Sequence, residues 1–221
     1  MVKIGYEITG YRKAEKRMIP IQWKQKEQEM MHVNEAKNGV VYLTWPALEK
    51  LSMIRHAFST RLGGVSSGYL SSMNLSYSRG DEPENVRENY RRFCEAAGFA
   101  MEQIVTSDQT HTTNVRYVTK RDCGSGVTRE RDFHEIDGMI TDEPGVVLAT
   151  FYADCVPLYF VDPVHRAIGL SHSGWRGTVH KMGQVTLNAM QERFGTEAKD
   201  VIAAIGPSIC QDCYEVSGDV I

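Results

Sequence analysis

Residues 146–178, VVLATFYADCVPLYFVDPVHRAIGLSHSGWRGT, decide how this chain folds. The long apolar run through VVLATFYADCVPLYF reads as strand, and Asp162 with Pro163 supplies turn chemistry that sends the chain back through AIGLSHSG as a hairpin. That hairpin predicts Cys155 and His172 on neighbouring strands. After Gly177 a helix is predicted to Phe194, with Val179, Met182, Thr186, Ala189, Met190 and Phe194 along one face and Gly195 as its stop. VIAAIG, at 201–206, is the following strand.

Upstream, VVYL (40–43) reads as a strand, PALEKL as a short helix begun by Pro46, and HAFST (56–60) as a strand feeding a Gly/Ser/Asn-rich loop to residue 76. Asp81 and Pro83 open a predicted helix over 84–97, where Val86, Tyr90, Phe93, Cys94 and Ala97 recur at helical spacing and Gly98 follows; Cys94 reads as a core thiol. IVTS, NVRYV and IDGMIT are short strand-like runs, the last two separated by the polar loop CGSGVTRERDFHE. Strands and helices are mixed rather than alternating, which places the chain in the α+β class. Residues 1–38 keep no period of two or 3.6 and read as a polar N-terminal extension to a catalytic domain over 39–221.

Composition narrows the function. With 221 residues, 42% hydrophobic and 24% charged, one core and one domain are expected. A net charge of −3 and a pI near 6.2, with no long basic block, argue against a nucleic-acid partner. No apolar stretch approaches the roughly 18–20 residues of a membrane span, and no signal-peptide core is present, so a cytoplasmic protein is expected. Five cysteines in a chain of this size fit reduced thiols in a reducing compartment.

His111, Cys155 and His172 carry the chemistry. Two imidazoles and a thiolate form a zinc ligand set that leaves the fourth tetrahedral position open, as catalytic sites do. Spacings of 44 and 17 residues fit no short metal motif, so the fold must close the site. Each residue taken singly also reads as a core histidine or an inert buried thiol. Copper is the other candidate metal, with Met139 or Met182 as a weak axial ligand, although the chain has no His-x-His pair for a polynuclear copper cluster. The His-x-Glu…Pro-Cys-x-x-Cys pattern of zinc deaminases is absent. Cys210 and Cys213 read as a local turn with reduced thiols. Arg61, at the mouth of the Gly/Ser-rich loop, and Arg176, four residues after His172, are candidate anion or substrate groups. Asp154 is a candidate proton donor or acceptor, and Asp137 a candidate to orient an imidazole.

STRLGGVS (59–66), NLS (74–76), DQTH (108–111), DGMIT (137–141), ADCVPL (153–158), HSGWRGT (172–178) and IGPSICQDCYEVS (205–217) together resemble the bacterial laccase-domain family, also called multicopper polyphenol oxidoreductase or YlmD/YfiH-like. The resemblance covers about residues 40–221. It implies a single-domain mixed α/β sandwich, with helices packed on mixed sheets, and a zinc-dependent purine nucleoside phosphorylase. The implied substrates are adenosine, inosine and methylthioadenosine with inorganic phosphate, and adenosine deaminase activity accompanies them. It also implies His111, Cys155 and His172 as metal ligands, and Arg61 with Asn74 at the substrate or phosphate end. Thr112 departs from the Gly that usually follows the histidine, which tightens the loop. The sequence ends at Ile221, where family members continue for some tens of residues. Other members imply two rivals, a peptidoglycan-editing amidase and a copper polyphenol oxidase. A structural metal with a partner-recruiting extension is the non-enzymatic alternative.

Overall fold

The structure, a computed structural model, describes residues 30–218. Its strands and α-helices follow in the order β1 (His32–Glu35), β2 (Val41–Thr44), α1 (Pro46–Glu49), β3 (Phe58–Ser59), α2 (Pro83–Ala97), β4 (Ile104–Thr106), β5 (Val115–Tyr117), β6 (Gly138–Thr141), β7 (Val147–Ala149), β8 (Val156–Asp162), β9 (Ala167–Ser173), α3 (Trp175–Val179), α4 (Met182–Phe194) and β10 (Ile202–Ile205). They build a mixed five-stranded sheet, β10-β8-β9-β6-β5, an antiparallel sheet β1-β2-β3 and a parallel pair β4-β7. This is the mixed α/β arrangement expected from the unalternating element order.

The predicted hairpin is the centre of the large sheet. β8 and β9 pair antiparallel over seven residues, with Pro157 opposite His172 and Asp162 opposite Ala167. The turn is fixed by the buried Asp162 carboxylate, whose Oδ1 accepts the N–H groups of Val164 and His165 at 2.9 and 3.0 Å. Alternation along β8 then divides the core. Phe160, Leu158 and Ile140 pack with Met190 and Leu187 of α4, whereas Tyr159, Val161 and Ile168 face Leu43, Trp45 and Phe58 of the three-stranded side. Burying each such side chain contributes about 1.5–3 kcal/mol. The Trp45 ring lies 4.5 Å from that of Tyr159, and its Nε1 donates to the Ile205 carbonyl, tying the two sheets together.

Three features differ from the sequence reading. The run at 146–162 is two strands in different sheets: β7 pairs with β4, and residues 150–155 cross to β8. The crossing is held by Gln109, whose amide donates to the Phe151 carbonyl (2.6 Å) and accepts its N–H (2.7 Å), in place of a strand partner. The helix predicted to Phe194 is interrupted, because Lys181 takes the left-handed conformation (φ 58°) between α3 and α4. Val179 therefore leaves the buried face and is 67% exposed, while Met182, Thr186 and Met190 are fully buried. Finally, the end of the polar stretch at 1–38 joins the fold: β1 pairs with β2, and Asn34 donates to Thr44 Oγ1 at 2.8 Å. Residues 1–29 of that stretch lie outside the described residues.

α2 matches its pattern. Val86, Tyr90 and Cys94 recur every four residues on one face and pack on Ile104, Val147 and Ala149 of the parallel pair, and Gly98 closes the helix at φ 76°. Cys94 is in this core, as expected. Among the described residues no helix is long and apolar enough to cross a membrane.

Candidate metal centre

The ends of β6, β8 and β9 meet the loop after β4. Asp137 immediately precedes β6 and lies opposite His172 of β9, whose N–H donates to the Asp137 carbonyl at 2.7 Å. Cys155 immediately precedes β8, and His111 stands in the loop joining β4 to β5. The candidate ligand atoms of His111, Cys155 and His172 all lie within 4.8 Å of one another. Residues 44 and 17 apart in sequence are thus closed into one cluster by the β8–β9 register and the crossing of 150–155 from β7 to β8.

The donor set fits a metal ion. Cys155 Sγ and His111 Nε2 are 3.8 Å apart, close to the roughly 3.5 Å that bonds of about 2.3 and 2.0 Å subtend at a tetrahedral ion. The imidazoles of His111 and His172 meet edge to face with centroids 5.0 Å apart. Exposure rises across the cluster, from buried His172 through half-buried Cys155 to exposed His111, so the centre opens on one side.

One carboxylate organises both histidines. Asp137, fully buried, takes the Nδ1 of His172 at 2.8 Å on Oδ1, which leaves Nε2 as the nitrogen available to an ion. The same group accepts the N–H groups of Thr110 (3.1 Å), His111 (3.1 Å) and Thr112 (2.8 Å) and the Thr112 hydroxyl (2.9 Å). His111 is held in the left-handed region at φ 64°, a conformation costly for a non-glycine residue, and these bonds offset the cost. Burial alone would raise the Asp137 pKa; the bonds from His172 and the 110–112 loop outweigh it and hold the carboxyl down at about 2. Burial likewise works against a charged His172, but its bonds to Asp137 and Cys155 push its pKa up to about 9 in the metal-free protein.

The cluster borders a cavity of about 1340 Å³, whose wall includes His111, Cys155, His172, Arg61, Asn74 and Asp154. Arg61 is anchored there by Nε and Nη2, which donate to the Ser71 carbonyl at 3.1 and 2.6 Å. Asn74 donates to Asp81 Oδ2 at 2.9 Å and holds its own turn through Ser76. Asp154 has an exposed side chain, and its carbonyl accepts the Ile209 N–H at 2.9 Å. Arg176 is not in the cavity wall: exposed on α3, it stacks on the Trp175 ring at 4.4 Å. Met139 and Met182 are fully buried, Met139 among Val105, Val118 and Phe133 and Met182 against Gly138, and neither lines the cavity. Cys210 and Cys213 bracket a single turn. Sequence reasoning missed Tyr152, whose ring lies 5.7 Å from that of His172 and whose hydroxyl donates to the Ser171 carbonyl at 3.1 Å; its position three residues before Cys155 carries no motif.

A sequence profile described as multi-copper polyphenol oxidoreductase laccase matches residues 55–221. The chain belongs to this laccase family. A purine nucleoside phosphorylase from Bacteroides thetaiotaomicron is 40% identical over 181 residues, which is 80% of this chain and 66% of that protein. A protein named adenosine deaminase RL5, from an unknown prokaryote, is 33% identical over 79% of this chain and 69% of its own length. The crystal structure of YlmD from Geobacillus stearothermophilus superposes with a TM-score of 0.74 at 35% identity, covering 85% of this chain and 69% of that one. Against the Bacteroides protein and phosphorylases from Bacillus, Deinococcus and Geobacillus, this laccase-family chain spans 59–66% of the relatives' length.

Proposed function

We propose that the protein is a zinc-dependent purine nucleoside phosphorylase, taking adenosine, inosine or methylthioadenosine with inorganic phosphate. The observation that carries this reading is the His111, Cys155, His172 cluster opening on a cavity, in a chain 40% identical to a protein named for that activity. His111, Cys155 and His172 would hold the ion, which when bound supplies Lewis acidity and activates a water molecule near neutral pH. The catalytic unit is proposed to comprise residues 39–221 together with β1.

In phosphorolysis a phosphate oxygen bonds to the ribose C1′ as the C1′–N bond breaks, and the base leaves with the electron pair and takes a proton. Arg61, held at the cavity wall by the 69–71 loop, brings a fixed positive charge to receive phosphate, and Asn74 shapes the same end. Asp154, exposed at the wall beside Cys155, would exchange the proton at the base. Arg176 stands outside the wall and is left out of the substrate contacts.

Adenosine deamination is proposed as a second activity of the same centre, on the likeness to the protein named adenosine deaminase RL5. Zinc is proposed over copper because Met139 and Met182, the candidate axial ligands, are packed in the core and do not line the cavity. The test is product analysis of metal-quantified protein given adenosine with and without phosphate. Adenine and ribose 1-phosphate formed only with phosphate are expected, with inosine marking deamination; no turnover from fully metal-loaded protein would overturn the proposal.

A further inference from the structure

We infer that Gly174 is a positioning residue that sets the width of the metal cradle. The inference rests on the reading of His111, Cys155 and His172 as an ion site. Gly174 follows β9 directly and precedes α3 with φ −76° and ψ −175°. Any L-residue adopts that backbone conformation, so the position does not need glycine for its dihedrals. What it needs is space. A Cβ there would stand 2.9 Å from His111 Cδ2, 3.0 Å from Cys155 Sγ and 3.6 Å from His111 Nε2. The first two distances are well inside the 3.5–4.0 Å optimum for non-bonded carbon contacts. One added methyl group would therefore press on two of the three candidate ligands at once.

The backbone has little room to retreat. The Gly174 carbonyl accepts both the N–H (2.8 Å) and the hydroxyl (2.9 Å) of Thr178, and the preceding residue, Ser173, is paired with Val156 across the β8–β9 hairpin. On the other side the His111 main chain is fixed by its bond to Asp137, but its imidazole is exposed and can turn away. The ligands give way before the fold does. Gly174 thus holds open the approach of sulfur to imidazole at the 3.8 Å seen here, and a side chain at this position spreads the donor set beyond what one ion spans.

The test is titration of the full metal-free chain, wild type and Gly174→Ala, with Zn²⁺ and with Co²⁺. The Co²⁺ spectrum reports thiolate ligation and coordination geometry independently of turnover. Expected for Gly174→Ala are an unchanged thermal midpoint without metal, an affinity lower by on the order of 10- to 100-fold, and shifted Co²⁺ ligand-field bands. Wild-type protein that takes up neither ion overturns the metal centre and the role of Gly174 with it. Wild type that binds, beside a Gly174→Ala variant of equal affinity and spectrum, overturns Gly174 alone. If Gly174→Ala lowers the metal-free midpoint, the double variant with His111→Ala decides: a midpoint restored by removing the imidazole supports crowding within the cradle, and one that stays low overturns it.

Discussion

The β8–β9 hairpin carries an Asp–His pair at each end. At the turn, His165 Nδ1 lies 2.8 Å from Asp162 Oδ2; at the open end, His172 Nδ1 lies 2.8 Å from Asp137 Oδ1; both carboxylates are fully buried. Distance and burial of the acid do not separate them. The surroundings of the rest of each ring do. His172 is buried beside Cys155 and His111 at the cavity, whereas His165 is about one-third exposed, with its Nε2 near Gly195 at the end of α4. An imidazole oriented by a carboxylate becomes a candidate site only where other donors converge on its free nitrogen.

The comparison breaks most sharply on the imidazoles and the thiol. Replacing His172 with Ala, or Cys155 with Ser, is expected to abolish metal uptake and turnover while the circular dichroism spectrum of the folded protein persists. His165→Ala is expected to leave both unchanged and to cost about 1 kcal/mol of stability. If Cys155→Ser unfolds the chain, the centre is structural; if that variant stays folded and fully active, the ligand assignment is lost. The carboxylates should separate the same way. Asp137→Asn is expected to weaken metal binding by about 10- to 100-fold, and Asp162→Asn to leave metal binding intact while lowering stability by about 1–3 kcal/mol. Equal metal affinities in the two Asn variants, read by competition with a chelating dye, would erase the distinction.

Acidity sharpens it further. Asp137 is depressed from 3.8 to about 2, and Asp162 is depressed as well: burial would raise it, but the bonds it accepts within the His165 turn outweigh that. A carboxyl with a lowered folded pKa stabilises fully above its ordinary pKa, and that contribution is lost as pH falls through the folded value. Both ends of the hairpin should therefore weaken below pH 4, the Asp137 contribution fading toward pH 2. His172 has the opposite sign. Raised from 6.5 to about 9, its proton stabilises the metal-free protein fully below pH 6.5, and this is lost as pH rises through 9. An ion must displace that proton, so metal affinity should climb with pH up to about 9, and calorimetry in buffers of different ionisation enthalpy should register proton release near pH 7. A pH-independent affinity would show that His172 is not a ligand.

The two ends also differ in what the sequence discloses. Asp162 and His165 are three residues apart in a turn that Asp-Pro announces, and the hairpin follows from that signal. Asp137 and His172 are 35 apart; ligand chemistry marks His172, but only the β6–β9 register brings Asp137 to it. His111, Cys155 and His172 are legible in the sequence as ligand types, and Asp137 as one candidate to orient an imidazole. Apolar patterning does not say which strand a run will pair with, so the division of 146–162 between two sheets was hidden. Helical spacing cannot show a single left-handed residue, so Lys181, and with it the exposure of Val179, was hidden too. Arg176 had the right chemistry beside His172, yet stacking on Trp175 takes it away from the cavity wall.

The smallest expected effect falls on Thr112. Its hydroxyl donates to Asp137 Oδ2 at 2.9 Å, adding a side-chain bond to the three main-chain N–H groups of the same loop, and its oxygen also accepts the Asn114 N–H at 3.3 Å. Among the described residues the Asp162 carboxylate has no counterpart to this loop: the bonds within its turn come from Val164 and His165. Thr112→Val keeps the shape and the main-chain donor but removes the hydroxyl. Since one such bond is worth about 1 kcal/mol, metal affinity should fall by about three- to tenfold with little change in overall stability. Thr112→Ser, which keeps the donor, should restore it. A Val variant with wild-type affinity would mean that the main-chain bonds suffice to fix Asp137, and that the hydroxyl serves the 112–114 turn rather than the centre.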